Sequence, residues 1–204
     1  MRIKIAHLMV LPLCLGVGAI DAAYTATDHR VEVVNTDAGH IDFTFISLIK
    51  NPKVFRSLKE VDVNNRWVML DDGSCWKVAK SDIIKGWDHS KRLLVTQNHA
   101  NFSLSRYALV NLDLKLAVPA SLEHEPVPDK DVAYVKNIDR VNDIVTLNDG
   151  KEWIIHSSDQ AVLSKISIND RIIIGANTGD NRDKSPYLLI DTSSNHFVRA
   201  HHID

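Results

Sequence analysis

The sequence predicts an all-β protein: two tandem small antiparallel β-barrel-like modules behind an N-terminal β-hairpin extension. Three observations predict it. First, the chain repeats itself. Lys59, Asp62, Asn65, Val68, Leu70, Asp72, Gly73 and Trp76 recur without a gap, at an offset of 77, as Lys136, Asp139, Asn142, Val145, Leu147, Asp149, Gly150 and Trp153. Second, Asp72-Gly73 and Asp149-Gly150 each sit between short runs of alternating apolar residues. That is a strong hairpin signal, because the turn needs the positive φ that glycine adopts freely. Third, further short apolar runs follow at close spacing in both copies, the pattern of a small barrel or rolled sheet.

The elements follow in order. Arg2 and Lys4 precede an uncharged apolar run from Leu8 to Ile20, and small residues follow it. This predicts a signal peptide over residues 1–22, cleaved after Ala19 or Ala22. The run is short for a bilayer span and Pro12 interrupts it, so no stable membrane span is expected after cleavage. The mature chain is expected to be exported, periplasmic or extracellular. Cys14 would leave with the peptide and Cys75 would remain alone, so apolar cores rather than disulfides must hold the fold.

The extension covers residues 23–57. Arg30 to Val34 and His40 to Ile46 flank Thr36-Asp37-Ala38-Gly39 and read as a hairpin. Its alternating Ile41, Phe43 and Phe45 need a surface, and Trp67 and Met69 are expected to offer one, covering Cys75 as well. Module one spans residues 58–122, with strands near 58–63, 66–70, 74–78, 92–97, 107–111 and 117–121. Asn64-Asn65 reads as a tight turn, and Ser81-Asp82 as the cap of a helical turn. A linker with Pro126 and Pro128 covers residues 123–132. Module two spans residues 133–204, with strands near 135–140, 143–147, 151–155, 171–175, 187–191 and 196–200, and a helical turn capped at Ser157-Ser158. The alignment runs on through Asp82/Asp159, Arg92/Arg171, Asn98/Asn177, Tyr107/Tyr187 and Val118/Val198. The offset grows to 80 through two small insertions that flank the strand starting at Arg92 or Arg171.

Strand parity assigns faces. Val68, Leu70, Trp76 and Val78 match Val145, Leu147, Trp153 and Ile155 and are expected in the core. Trp67, Met69 and Cys75 point the other way and are matched by Ile144, Thr146 and Glu152. That divergent face is the expected binding surface, for an unknown protein or glycan ligand. The lone Cys75 also raises the alternative of a dimer through an intermolecular disulfide.

The balance of 24 basic against 26 acidic residues gives no basic surface for nucleic acid. No Gly-x-Ser-x-Gly elbow, phosphate loop, Cys-x-x-Cys or His-Glu-x-x-His is present, so no catalytic residue and no cofactor are assigned. His196, His201 and His202 are the weak candidates for metal, but their spacing matches no ligand motif. Gly179 to Ser185 resembles a stretch of type I signal peptidases. The Ser-x-Met-x-Pro nucleophile of that family is missing, so the stretch reads as a polar hairpin loop. The preferred function is a non-enzymatic binding protein. The alternative is a hydrolase with a site between the modules, using His196 and Asp183.

The pattern Leu-x-Asp-Gly-x-x-Trp-x-(Val/Ile), at Leu70–Val78 and Leu147–Ile155, resembles repeats in uncharacterised exported proteins of intracellular bacterial pathogens, of the Legionella and Coxiella kind. The resemblance covers residues 59–202. It implies a virulence-associated type II secretion substrate that folds in the periplasm, and it implies no activity.

Overall fold

A computed structural model describes residues 33–88, 90–100, 103–128 and 132–203, so the expected signal peptide lies outside the described residues. The chain is all-β. A hairpin of β1 (Val33–Thr36) and β2 (Gly39–Asp42) opens it. Six strands follow: β3 (Leu58–Asp62), β4 (Trp67–Leu70), β5 (Cys75–Val78), β6 (Leu93–Gln97), β7 (Tyr107–Asn111) and β8 (Leu116–His124). The last six are β9 (Ala133–Asp139), β10 (Ile144–Leu147), β11 (Glu152–Ile155), β12 (Arg171–Ala176), β13 (Tyr187–Asp191) and β14 (His196–His202). Strands β9–β14 close an antiparallel barrel in the order β9-β10-β11-β14-β13-β12. The seal is the return of β12 onto β9, where Arg171 faces Tyr134 and Ile172 faces Ala133. Closure leaves this sheet no unpaired edge. Outside it, the earlier strands run β3-β4-β5-β8-β7-β6. An antiparallel bridge from Arg56 to Leu93 links the segment entering β3 to β6. The two halves meet where β12 lies parallel to β6, at Ala176 and Thr96.

Much of the sequence repeat is turn chemistry. Asp62 accepts hydrogen bonds from the Asn65 backbone (2.8 Å) and side chain (2.7 Å). Asp139 accepts from the Asn142 backbone (3.1 Å) and side chain (2.7 Å). The turn is longer than the expected Asn64-Asn65 pair, and its positive φ falls on Arg66 (59°) and Asp143 (56°). A fixed Asp-Asn clasp holds those residues in the left-handed region at a modest cost. In the Asp-Gly hairpins, Gly73 and Gly150 take φ of 81° and 82°, a conformation that other residues reach with strain.

The rest of the repeat is core. Trp76 and Trp153 are fully buried. Each meets a tyrosine edge-on, Trp76 against Tyr107 (centroids 5.7 Å) and Trp153 against Tyr187 (5.3 Å). This geometry suits the ring quadrupoles. The two differ in one bond. The Trp76 Nε1–H donates to Ser74 Oγ at 3.0 Å. Lys151 holds the matching position, and Trp153 Nε1 finds no acceptor among the described residues.

The extension departs from the expected hairpin. Its second arm stops at Asp42, whose carboxylate accepts from the Phe45 amide and caps the short helix α1 (Phe43–Ser47). The helix places Phe43 and Ile46 on one buried face. The surface it covers also differs. Ala38, Ile41, Phe43 and Ile46 cluster with Leu94, Ala108, Val110 and Ala117, the outer side of β6-β7-β8. These small and aliphatic side chains form a continuous apolar patch, whereas Trp67 and Met69 stand beside Lys77 and Glu123. Arg182 fixes the extension from outside, 2.9 Å from Asp42 and 4.9 Å above the Phe45 ring.

Three smaller differences concern helical turns and the linker. In α2 (Ser81–Ile84) the cap position is Lys80, with no side-chain bond. A 3₁₀ turn at Ser157–Asp159 is capped by His156 rather than by its serines, and α3 (Gln160–Leu163) follows. The linker starts later than expected because β8 runs to His124. Val127 then folds back, its amide donating to the Asp72 carbonyl at 3.0 Å. A matching contact runs the other way: Lys53, ahead of β3, pairs with Asp149 at 2.9 Å.

The halves come close because Gly175 has no side chain: a Cβ there would lie 2.6 Å from the Val95 carbonyl oxygen. Gly175→Ala is expected to lower stability by about 1–3 kcal/mol through overpacking against backbone, read as a lower denaturant midpoint. Ser74→Ala leaves a buried indole N–H unpaired and is expected to cost about 1–2 kcal/mol. Lys151→Ser, which supplies the missing acceptor, is expected to raise the thermal midpoint.

Candidate functional site

The contact between the halves is polar at one end of β6 and β12 and apolar along the strands. Ile173, Leu188 and Ile190, on the outer side of the barrel, cluster with the core of β3–β8. Beyond them the loops interlock. Thr96 and Thr178 hydroxyls stand 2.6 Å apart in a buried contact. The Gln97 side-chain amide donates to Asn177 Oδ1 at 2.7 Å, and the Thr178 amide donates back to Gln97 Oε1 at 3.1 Å. His99 Nε2 lies 2.9 Å from Thr178 Oγ1. Arg106 reaches across to the Asn195 carbonyl at 2.9 Å.

Gln97, His99 and Arg106 from these contacts also line a cleft of about 470 Å³. They line it from one half. Asp159, Val162, Gly179, Asp180, His196, Phe197 and Arg199 line it from the barrel. Phe197 is half-buried, and its ring sits 6.1 Å from Tyr107. The His196 ring bonds the Ser194 carbonyl through Nδ1 at 2.7 Å, so that nitrogen carries the proton and Nε2 is left as the acceptor in the neutral ring.

Charge in the cleft is largely neutralised internally. Arg199 grips Asp159 in a fork: Nε donates to Oδ2 at 2.9 Å and an Nη to Oδ1 at 2.6 Å, while its backbone amide adds a third bond at 2.8 Å. Burial alone would raise the Asp159 carboxyl, but the Arg199 bonds outweigh it and hold the carboxyl below its ordinary value. At His99, lost hydration pulls the imidazole below its ordinary value and the Asp180 carboxylate only partly opposes this.

The residues expected from the sequence fall in three places. Trp67, Met69 and Cys75 do come together, in a separate pocket of about 290 Å³ shared with Lys77, Glu123 and His124. Cys75 is 6% exposed, free, and not covered by the extension. Burial pushes its thiol above the ordinary value, and Glu123 adds to that. His196 lines the inter-half cleft, whereas His201 and His202 line a third hollow with Lys50 and Lys151. The three imidazoles therefore do not converge. Among the described residues no three His, Cys, Asp or Glu side chains are placed to hold a metal ion. Asp183, the expected partner of His196, is not among the cleft residues; Asp180 stands there instead.

The Asp159–Arg199 clamp was not foreseen. Its signal is a difference between the copies. Asp82 matches Asp159, but Pro119 stands where the second copy has Arg199, and Asp82 is left as an exposed partner of Lys85. Comparison with protein-family models, with curated proteins and with solved structures finds no match.

The clamp sets an acid limit. A carboxyl held below its usual 3.8 stabilises the fold fully above that value, and the contribution is lost as pH falls through the folded value. Arg199→Ala is expected to cost about 2–3 kcal/mol at neutral pH, since it strands a largely buried carboxylate. Burial is then opposed only by the backbone amide of residue 199 and the Ser158 hydroxyl, so the acid unfolding midpoint should move to higher pH. Thermal melts from pH 7 to pH 3 on both proteins check this.

Proposed function

We propose that the protein is an exported, non-enzymatic binding protein built from two copies of one six-stranded barrel module, holding its ligand in the cleft between them. The observation that carries this reading is the composition of the cleft, to which both halves contribute side chains. The two-module reading is supported by the equivalent strand orders, β3-β4-β5-β8-β7-β6 and β9-β10-β11-β14-β13-β12. It is supported also by recurring local bonds. Asn98 and Asn177 each bond backward to a serine carbonyl, Ser105 and Ser185, both at 2.7 Å. Export is supported by the charged, apolar and small-residue regions of residues 1–22.

The ligand class follows from the lining. Asp159 and Arg199 neutralise one another, and Arg106 and Asp180 add one charge of each sign to the lining. What remains is a set of hydrogen-bonding groups, at Gln97, His99 and His196, beside the face of Phe197. That combination suits a neutral, hydroxyl-rich ligand of the glycan class better than a phosphate or a nucleic acid. Asp159, a carboxylate of the kind a glycan hydrolase uses, is engaged by Arg199, which favours binding over hydrolysis.

Titration of the purified protein against a glycan panel, followed by saturation-transfer NMR, is the test. A ligand should be found whose affinity drops about tenfold in Phe197→Ala, the loss of some 1.4 kcal/mol of aromatic contact, and is unchanged in Trp67→Ala. Turnover of a substrate that His196→Ala abolishes, with folding intact, would overturn the proposal in favour of the hydrolase.

A further inference from the structure

The pocket around Cys75 carries an inference independent of the inter-half cleft. Met69 faces Cys75 across β4–β5, and Cys75 faces His124 across β5–β8. Directly opposed residues in an antiparallel ladder project from the same face, with Cβ atoms about 4.5–5.5 Å apart. A thioether, a thiol and an imidazole thus stand in one row on three neighbouring strands, and all three line the same pocket. The thiol is the central donor. It is more than nine-tenths buried and forms no disulfide.

We propose that Met69, Cys75 and His124 form a binding site for a soft monovalent metal ion, copper(I) above all. Thiolate and thioether sulfur select soft ions, whereas calcium, magnesium and manganese take oxygen. Structural zinc favours four nitrogen, sulfur or oxygen donors in a tetrahedron. Here no three His, Cys, Asp or Glu groups converge among the described residues. The third donor is the Met69 thioether, and three donors in a row suit an ion content with low coordination. The Trp67 indole lines the same pocket, an aromatic neighbour of the kind that attracts cations.

The repeat supplies an internal control. Met69 and Cys75 are matched by Thr146 and Glu152, which face one another at the same register in β10–β11. The second copy folds with hard oxygen groups at these positions. A shared need of the fold therefore does not select the sulfur pair.

Binding is a ligand exchange without change of oxidation state. The Cys75 S–H bond breaks, the sulfur lone pair forms the S–Cu bond, and the proton leaves to solvent. The Met69 thioether and a His124 ring nitrogen each donate a lone pair.

The test is anaerobic transfer of copper(I) from its coloured bicinchoninate complex to the purified full chain. One copper per chain should transfer, with sulfur scattering in the X-ray absorption spectrum. Replacing a single metal ligand should cost more than the 10–100-fold typical of outer-shell partners, so Cys75→Ser is expected to lose at least about 100-fold in affinity. Met69→Leu conserves volume and keeps the fold. Loss of affinity in this variant, with unchanged circular dichroism, supports the site without the risk of misfolding. Thr146→Ala and Glu152→Ala should bind as the wild type does. Failure of the wild type to take copper from bicinchoninate would overturn the proposal, as would full binding by Met69→Leu and Cys75→Ser, or tighter binding of zinc than of copper(I).

Discussion

The close approach of β12 to β6 is the constraint on which the rest of the structure depends. Without a side chain at Gly175 the backbone can sit against the Val95 carbonyl, and only at that spacing can the Thr96 and Thr178 hydroxyls touch. From this one line of contact follow the burial of Ile173, Leu188 and Ile190 against the neighbouring core and the placement of Gln97 and His99 opposite Asp180 and Phe197. A wider gap would hydrate the hydroxyl pair and turn the cleft into open surface. Buried polar contacts of this kind gain strength from low local dielectric and fix relative position better than apolar packing does.

Sequence comparison of the copies reads out what the fold needs twice. Val68, Leu70 and Trp76 fill a core; Asp62, Asn65, Asp72 and Gly73 make two turns. Each recurs because each repeats the same local physics, and strand positions came within a few residues for that reason. What the sequence left illegible is what happens once. The extension turns helical at Phe43 because Asp42 caps it, a local bond that overrides the apparent alternation of Ile41, Phe43 and Phe45. Its docking face is decided by which outer surface is apolar, and only the assembled sheet defines that surface. The cleft belongs to the same class, since it joins residues as far apart in sequence as His99 and Asp180.

Both proposed sites lie where the two repeated segments differ. Arg199 in place of Pro119 turns an exposed carboxylate into a clamp at the cleft. Cys75 and Met69, set against Glu152 and Thr146, place soft donors on one half only. The face opposite Trp76 was legible as divergent from sequence parity; His124 was not, because it enters the row only through the long β8 strand and its pairing with Cys75.

Contacts within the first half and contacts that reach the second differ in when they can form. Val127 reaches back to Asp72 within the first half, and the Arg56–Leu93 bridge needs no later residue. Lys53, by contrast, pairs with a residue 96 positions downstream, and Asp42 waits for Arg182. Non-local contacts form slowly because loop closure comes first. A chain emerging from its N-terminus can therefore complete β3–β8 early, while the segment that leads into them is locked last. The extension docks on β6-β7-β8, and its Lys53–Asp149 and Asp42–Arg182 pairs are in effect a closing latch that engages once the second half has folded.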